Sequence, residues 1–411
     1  MSASPIPRTA REQIAGIDLQ AARRAVAAAS VRTPTLRCDE LSELACLQAA
    51  LKAECLQVTG SFKLRGALSK LAALGERAAA GVATASAGNH ARALAQAAHL
   101  SGVACEVFQP SDAAVSKLAA VERIGARVHL EGDSIEEALQ AAAAWVERTG
   151  AVLVHPFDDL DVIAGQATLA LELLDEVPDL ARVVVPVGGG GLASGVGIAL
   201  RRARADVELI GVQARACAPL REALEGRAGA APTGATVADG IAVKRPGAIT
   251  LPLLRELLDG VETVTEDEIG EAIVFLAERT KLVAEGAGAV TTALLMRGRL
   301  GARRGTTVAV VSGGNIDSGL LAGVLLRHET ELGRRVRLFT RVADRPGGLA
   351  ELLGLVARLR ANVVSVEHVR EAVHLGVRET GIELTLETRG PEHTAEVLHA
   401  LQGAGYEVTV A

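Results

Sequence analysis

Six lysines stand against 37 arginines in this 411-residue chain, so each lysine raises the question of what an arginine could not do in its place. A guanidinium stays protonated, whereas an amine with a lowered pKa can attack a carbonyl and form a Schiff base. Lys63 has the most informative surroundings, lying in Thr59-Gly-Ser-Phe-Lys-Leu-Arg-Gly-Ala67 between two glycines. Taken alone, it reads equally well as a surface lysine opening a helix. The other five are Lys52, Lys70, Lys117, Lys244 and Lys281.

Gly188-Gly189-Gly190-Gly191 follows the apolar run Arg182-Val-Val-Val-Pro-Val187 and precedes a helix expected from about Leu192. Four consecutive glycines are costly in chain entropy, and a tight strand–helix turn needs only one or two. Bare N–H groups at a helix N-terminus, where the dipole adds about half a positive charge, make a phosphate cradle. The dinucleotide fingerprint fits less well, because residue 193 is alanine and no acidic residue follows Gly211-Val-Gln213 at the ribose-binding offset.

Ser86-Ala87-Gly88-Asn89-His90-Ala91 lies at another expected strand end. Singly, Ser86 and Asn89 suit helix caps and His90 suits a packing histidine. As a group they form a loop of small residues and free N–H groups suited to a carboxylate. Ser312-Gly313-Gly314-Asn315 follows the run ending at Val311 in the same way. Three glycine-containing strand-end loops and Lys63 are therefore expected to converge on the carboxyl edge of one sheet.

The elements that must hold these loops alternate as short β-branched runs and Ala/Leu-rich helices, the pattern of a parallel sheet covered by helices. Strands are expected at 82–85, 102–108, 126–130, 152–154, 182–187, 208–212 and 307–311, with helices from near Asn89 and over about 114–124, 134–148 and 164–174. After Leu326 the charged run His328 to Arg335 reads as a linker. Beyond it come a strand over 336–342, a helix over 346–359, strands near 362–367 and 381–387, a helix over about 393–404 and a strand over 407–410. That β-α-β-β-α-β order is a ferredoxin-like module.

Composition narrows the function. Net charge is −6 with no long basic run, and only five Phe, one Trp and one Tyr are present, which argues against nucleic-acid binding and against an anionic membrane surface. No apolar stretch is long enough to span a bilayer and the N-terminus lacks a signal-peptide core. Cys38, Cys46, Cys55, Cys105 and Cys217 form no Cys-x-x-Cys pair and read as small buried hydrophobes in a reducing compartment. A cytoplasmic protein is expected.

The runs Thr59–Ala67, Ser86–Ala91, Gly188–Gly191 and Ser312–Asn315 together resemble the signature set of threonine dehydratase (threonine ammonia-lyase), a pyridoxal-phosphate family of the tryptophan-synthase-β fold type. Residues 336–411 resemble an ACT regulatory domain. The resemblance implies an α/β, two-lobed fold-type-II catalytic domain over 1–327, with a smaller lobe of about 66–156 inserted in the larger, a linker at 328–335 and the ACT domain after it. It implies that Lys63 anchors pyridoxal 5′-phosphate and acts as the base at Cα. Phe62 would pack near the ring and Asn89 would bond its 3′ oxygen. Gly188, Gly189, Gly190, Gly191 and Leu192 would bind the phosphate, and Ser312 would meet the ring nitrogen. Ser86, Ala87, Gly88, Asn89 and His90 would hold the substrate, and Glu285 would line the pocket or cap a helix. Asp344, Arg345, Pro346, Gly347, Gly348 and Leu349 match an effector-binding turn for an isoleucine- or valine-class amino acid. ACT modules bind such ligands at subunit interfaces, implying a homo-oligomer, dimer or tetramer. Related serine racemases carry a serine where Ala87 stands, and a divalent-cation site whose carboxylates have no counterpart between Gly211 and Arg221. No metal is expected. The expected reaction is deamination of L-threonine to 2-oxobutanoate and ammonia, and of L-serine to pyruvate. The alternatives are a hydroxyaspartate or serine ammonia-lyase, and last a serine racemase.

Overall fold

A computed structural model of the chain describes residues 10–112, 115–227, 234–370, 376 and 378–410. The chain divides between Ile316 and Asp317 into two compact units.

The described strands of the first unit are β1 (Thr35–Arg37), β2 (Gln48–Ala53), β3 (Val82–Ala85), β4 (Cys105–Gln109), β5 (Arg127–Leu130), β6 (Val152–Leu153), β7 (Leu180–Pro186), β8 (Glu208–Ala214), β9 (Gly260–Val264) and β10 (Thr306–Val311). They form two sheets. One has six strands in the order β1-β2-β10-β7-β8-β9, parallel except for β1 against β2. The other is a parallel sheet in the order β5-β4-β3-β6. Strand β7 is buried from end to end, as a central parallel strand covered on both faces must be. Val183, Val185 and Val187 pack into one core with Val308 and Val310 of β10 and with the helices Leu160–Glu176 and Gly191–Ala203.

Two sheets, not one, carry the glycine loops. Ser86 follows β3 in the four-stranded sheet, while Gly188 and Ser312 follow β7 and β10 in the six-stranded one. Periodicity identifies a strand, but its pairing partners are set by packing far away in sequence. Helix Lys63–Leu74 bridges the two regions, packing on Leu160–Glu176 so closely that a Cβ on Gly165 would lie 2.3 Å from the Arg65 carbonyl oxygen.

The second unit begins with helix Ser318–Glu331, then β11 (Arg335–Ala343), helix Gly348–Arg358, β12 (Asn362–Val369), β13 (Glu379–Glu387), helix Pro391–Gly403 and β14 (Thr409–Val410). Its antiparallel sheet runs β12-β13-β11-β14. Along β11, Val336, Leu338, Thr340 and Val342 are buried while the intervening residues are not, the period-two signature of a half-covered sheet. Residues 328–331, expected as linker, instead complete the first helix, because nothing there breaks it before Gly333 at φ +63°. The turn from Asp344 to Leu349 joins β11 to the next helix. Arg345 pairs with both oxygens of Glu351 at 2.9 Å, Asp344 lies 3.4 Å from Arg370, and Gly347 caps the helix at φ +95°.

Candidate active site

Lys63 does open a helix, and its amine also reaches into the region where the loops meet. Phe62 N–H donates to the Ser312 carbonyl at 3.0 Å and Gly314 N–H to that of Gly60 at 2.9 Å, so the lysine loop is stitched to the loop after β10. The Lys63 amine donates to the Pro156 carbonyl at 2.9 Å and sits 5.2 Å from the Phe62 ring centroid. Burial lowers its pKa to about 8, against an opposing pull from the Glu285 carboxylate. The buried His90 beside it is pushed down to about 3 by burial and then by the Lys63 charge, so its imidazole stays neutral.

The other described lysines are occupied differently. Lys52 pairs with Glu172 and Glu176, Lys70 with Asp159 and Asp161, and Lys244 with Glu136. Lys281 donates to the Glu278 carbonyl at the surface. Lys117 lies where side chains are not described.

A directional chain of amides crosses between the two sheets' loops. Arg92 donates to Asn315 Oδ1 at 2.6 Å, Asn315 Nδ2 donates to Asn89 Oδ1 at 2.6 Å, and Asn89 Nδ2 donates to Glu285 Oε1 at 2.6 Å. A guanidinium has donors only, so Asn315 must turn its oxygen toward it and its NH₂ toward Asn89. The Thr59 carbonyl, accepting from the same NH₂ at 2.9 Å, enforces the same orientation. Asn89 therefore presents N–H groups to the site. Glu285 occupies the N-cap position of helix Gly286–Met296 but makes no side-chain cap bond, and its carboxylate takes the Asn89 amide instead. Ser86 Oγ accepts from Gly88 N–H at 3.3 Å, and Gly88, which has no side chain, is the N-cap of helix Asn89–Ser101. Among the described residues Ser312, 3% exposed, has one hydroxyl bond, a long 3.4 Å contact to the Ala287 carbonyl.

The glycine tetrad leads from β7 into helix Gly191–Ala203, one residue earlier than expected, with Gly190 at φ +97° as N-cap. A Cβ at Gly189 would sit 2.3 Å from Phe157 Cγ, and one at Gly188 would sit 2.9 Å from Ile241 Cα. Among the described residues, none accepts the buried N–H groups of Gly188, Gly189 or Gly190. Buried orphan N–H groups are rare, and three in a row at a helix N-terminus fit an anion such as a phosphate. With a lysine of lowered pKa, a neutral histidine and a serine with spare bonding capacity, these residues fit pyridoxal 5′-phosphate.

Sequence reasoning passed over Phe157 and Arg92. Phenylalanine is even rarer here than lysine, and two of the five, Phe62 and Phe157, lie at this site. The count that singled out Lys63 could have found Phe157.

Comparisons with known proteins agree with this reading. The family described as pyridoxal-phosphate dependent enzyme matches residues 26–313, and the ACT domain matches 336–403. The L-threonine ammonia-lyase of Thermotoga maritima is 44% identical over 395 residues, spanning 96% of this chain and 98% of the relative. Among solved structures, the threonine deaminase of T.th. shares 40% identity at a TM-score of 0.68, covering 73% of this chain and 97% of its own. The maize serine racemase shares 32% at a TM-score of 0.71, covering 76% and 97%. The chain therefore belongs to the pyridoxal-phosphate-dependent enzymes of the threonine ammonia-lyase family, carrying an ACT domain after the catalytic fold.

Proposed function

We propose that this protein converts L-threonine to 2-oxobutanoate and ammonia, and L-serine to pyruvate and ammonia, under regulation by an amino acid bound to its ACT domain. The observation that carries the proposal is the Lys63 amine, half-buried, lowered to about 8 and held by a carbonyl rather than a carboxylate. At pH 7 about a tenth of such amines are neutral and nucleophilic, against well under a thousandth for an ordinary lysine.

When bound, the cofactor supplies a carbonyl for the lysine and a ring that withdraws electrons from Cα. The remaining roles fall to the chain. Lys63 would anchor the group through its amine and would be the base that takes the Cα proton. The tetrad and Leu192 would hold the phosphate, Phe62 would pack near the ring, and Asn89 would donate to the ring oxygen. Ser312 would offer the ring nitrogen a neutral hydroxyl. A neutral hydroxyl would not enforce protonation there, which would favour loss of the β-hydroxyl over slower reactions at Cα. Ser86, Ala87, Gly88 and His90 frame the substrate carboxylate. Ala87 has no proton to give from the opposite face, which disfavours the racemase reading despite the likeness to the maize enzyme.

The isoleucine and valine class as effector at Asp344–Leu349, a feedback-regulated step of isoleucine biosynthesis, a cytoplasmic location and a dimeric or tetrameric assembly belong to the same proposal. Among the described residues, no helix is long and apolar enough to cross a membrane. The test is to purify the protein, record its visible absorbance, and follow 2-oxobutanoate from threonine with and without branched-chain amino acids. Cofactor absorbance with threonine turnover that responds to one of them is expected. A colourless protein indifferent to added cofactor would overturn the reading.

A further inference from the structure

The segment His155-Pro156-Phe157-Asp158-Asp159 joins β6 to helix Leu160–Glu176 and touches several parts of the site. His155 Nδ1 accepts from the N–H groups of Phe157 and Asp158, at 3.3 and 2.8 Å, which curls the segment. Pro156 accepts from Lys63, and Phe157 presses against Gly189 and Gly191. Asp158 turns the other way. Its Oδ2 accepts from Ala248 N–H at 2.9 Å, and its Oδ1 from Ile249 and Thr250 N–H at 2.9 and 3.0 Å. One carboxylate thus gathers the N–H groups that open helix Thr250–Leu257. Gly247 is needed bare for this, since a Cβ there would lie 2.1 Å from Asp158 Oδ1.

The helix start so held delivers a hydroxyl to the tetrad. Thr250, fully buried, donates through Oγ1 to the Gly189 carbonyl at 2.6 Å and accepts from Gly247 N–H at 3.1 Å. A trans peptide is planar, with its C=O and N–H pointing in opposite directions. Fixing the Gly189 oxygen therefore fixes the opposite direction of the Gly190 N–H, one of the three buried donors without an acceptor.

We propose that Asp158 is a positioning residue for the phosphate cradle, acting through the 248–250 turn and Thr250 Oγ1 on the Gly189–Gly190 peptide. It touches no reacting atom. Its influence is confined to the group the tetrad grips, so it bears on the phosphate and not on the ring. The inference rests on the reading of the tetrad as a phosphate site.

The experiment titrates cofactor-free protein with pyridoxal phosphate and, separately, with pyridoxal, following absorbance. Wild type should bind the phosphorylated form much more tightly. Asp158→Asn should weaken pyridoxal phosphate about tenfold, the loss of one well-placed hydrogen bond, and leave pyridoxal unchanged. Thr250→Val should do the same and Thr250→Ser should restore wild-type behaviour, so the inference stays testable if one variant folds poorly. The double variant Asp158→Asn/Thr250→Val should be no worse than the weaker-binding single. Equal weakening of both ligands, or of neither, overturns the role of Asp158. A wild-type protein indifferent to the phosphate would instead sink the tetrad reading beneath it.

Discussion

Lys63 and Arg65 stand two residues apart in one helical turn, and their surroundings could hardly differ more. Arg65 is fully buried and saturated: it grips Glu54 through two bonds of 2.8 Å and Glu172 through two of 2.7 and 2.9 Å. Lys63 meets a carbonyl, a ring and the distant pull of Glu285. Burial works against both cations. At Arg65 the carboxylates more than reverse it and the pKa rises; at Lys63 they do not and it falls. A buried charge fully paired belongs to the architecture, whereas one left short of partners is available for chemistry.

The largest effect is expected at the lysine itself. Lys63→Ala should lower threonine turnover by about a thousandfold or more. Because no ion pair is lost, its cofactor-free form should unfold in urea no sooner than wild type. Glu54→Gln should do the reverse. Burial alone would raise the Glu54 carboxyl, but Arg65 holds it below its usual range, so removing its charge takes away one of the two carboxylates that balance a buried guanidinium. A loss of about 3–5 kcal/mol in unfolding free energy is expected, with cofactor absorbance kept in whatever remains folded.

The pH dependence sharpens the contrast. Between about 8 and 10.5 the folded protein has released the Lys63 proton while the unfolded chain still holds it. The unfolded state then binds more protons, so this group makes the cofactor-free protein more stable as pH rises through that window. Cofactor capture, which needs the neutral amine, should climb with pH and flatten near 8; continued climbing toward 10 would mean an ordinary lysine. The smallest effect belongs to the amide chain. Asn315→Asp removes the donor to Asn89 Oδ1 and to the Thr59 carbonyl, freeing Asn89 to flip, and should weaken cofactor binding about fivefold in a spectral titration.

Much of this was legible in the chain. Scarcity marked Lys63, and entropic cost marked the tetrad. Alternation over 336–342 and the order of elements gave the ferredoxin-like module. What stayed hidden was long-range. Nothing near Ser86 says that β3 belongs to a different sheet from β7 and β10, because pairing is decided by packing across the fold. Nothing near Asp158 announces that its partners are three N–H groups ninety residues later. Glu285 occupies the helix-start position that its sequence implied, yet its carboxylate accepts the Asn89 amide, a choice visible only once Asn89 is beside it.

Among the lysines whose side chains are described, Lys63 alone is held ready for a carbonyl. Reducing the cofactor-loaded protein with borohydride, digesting it and locating the modified lysine by mass spectrometry tests this directly. The cofactor's mass should appear on the peptide containing Lys63 and nowhere else in proportion to activity lost; stoichiometric labelling of Lys52, Lys70 or another lysine, with Lys63 unmodified, would contradict it.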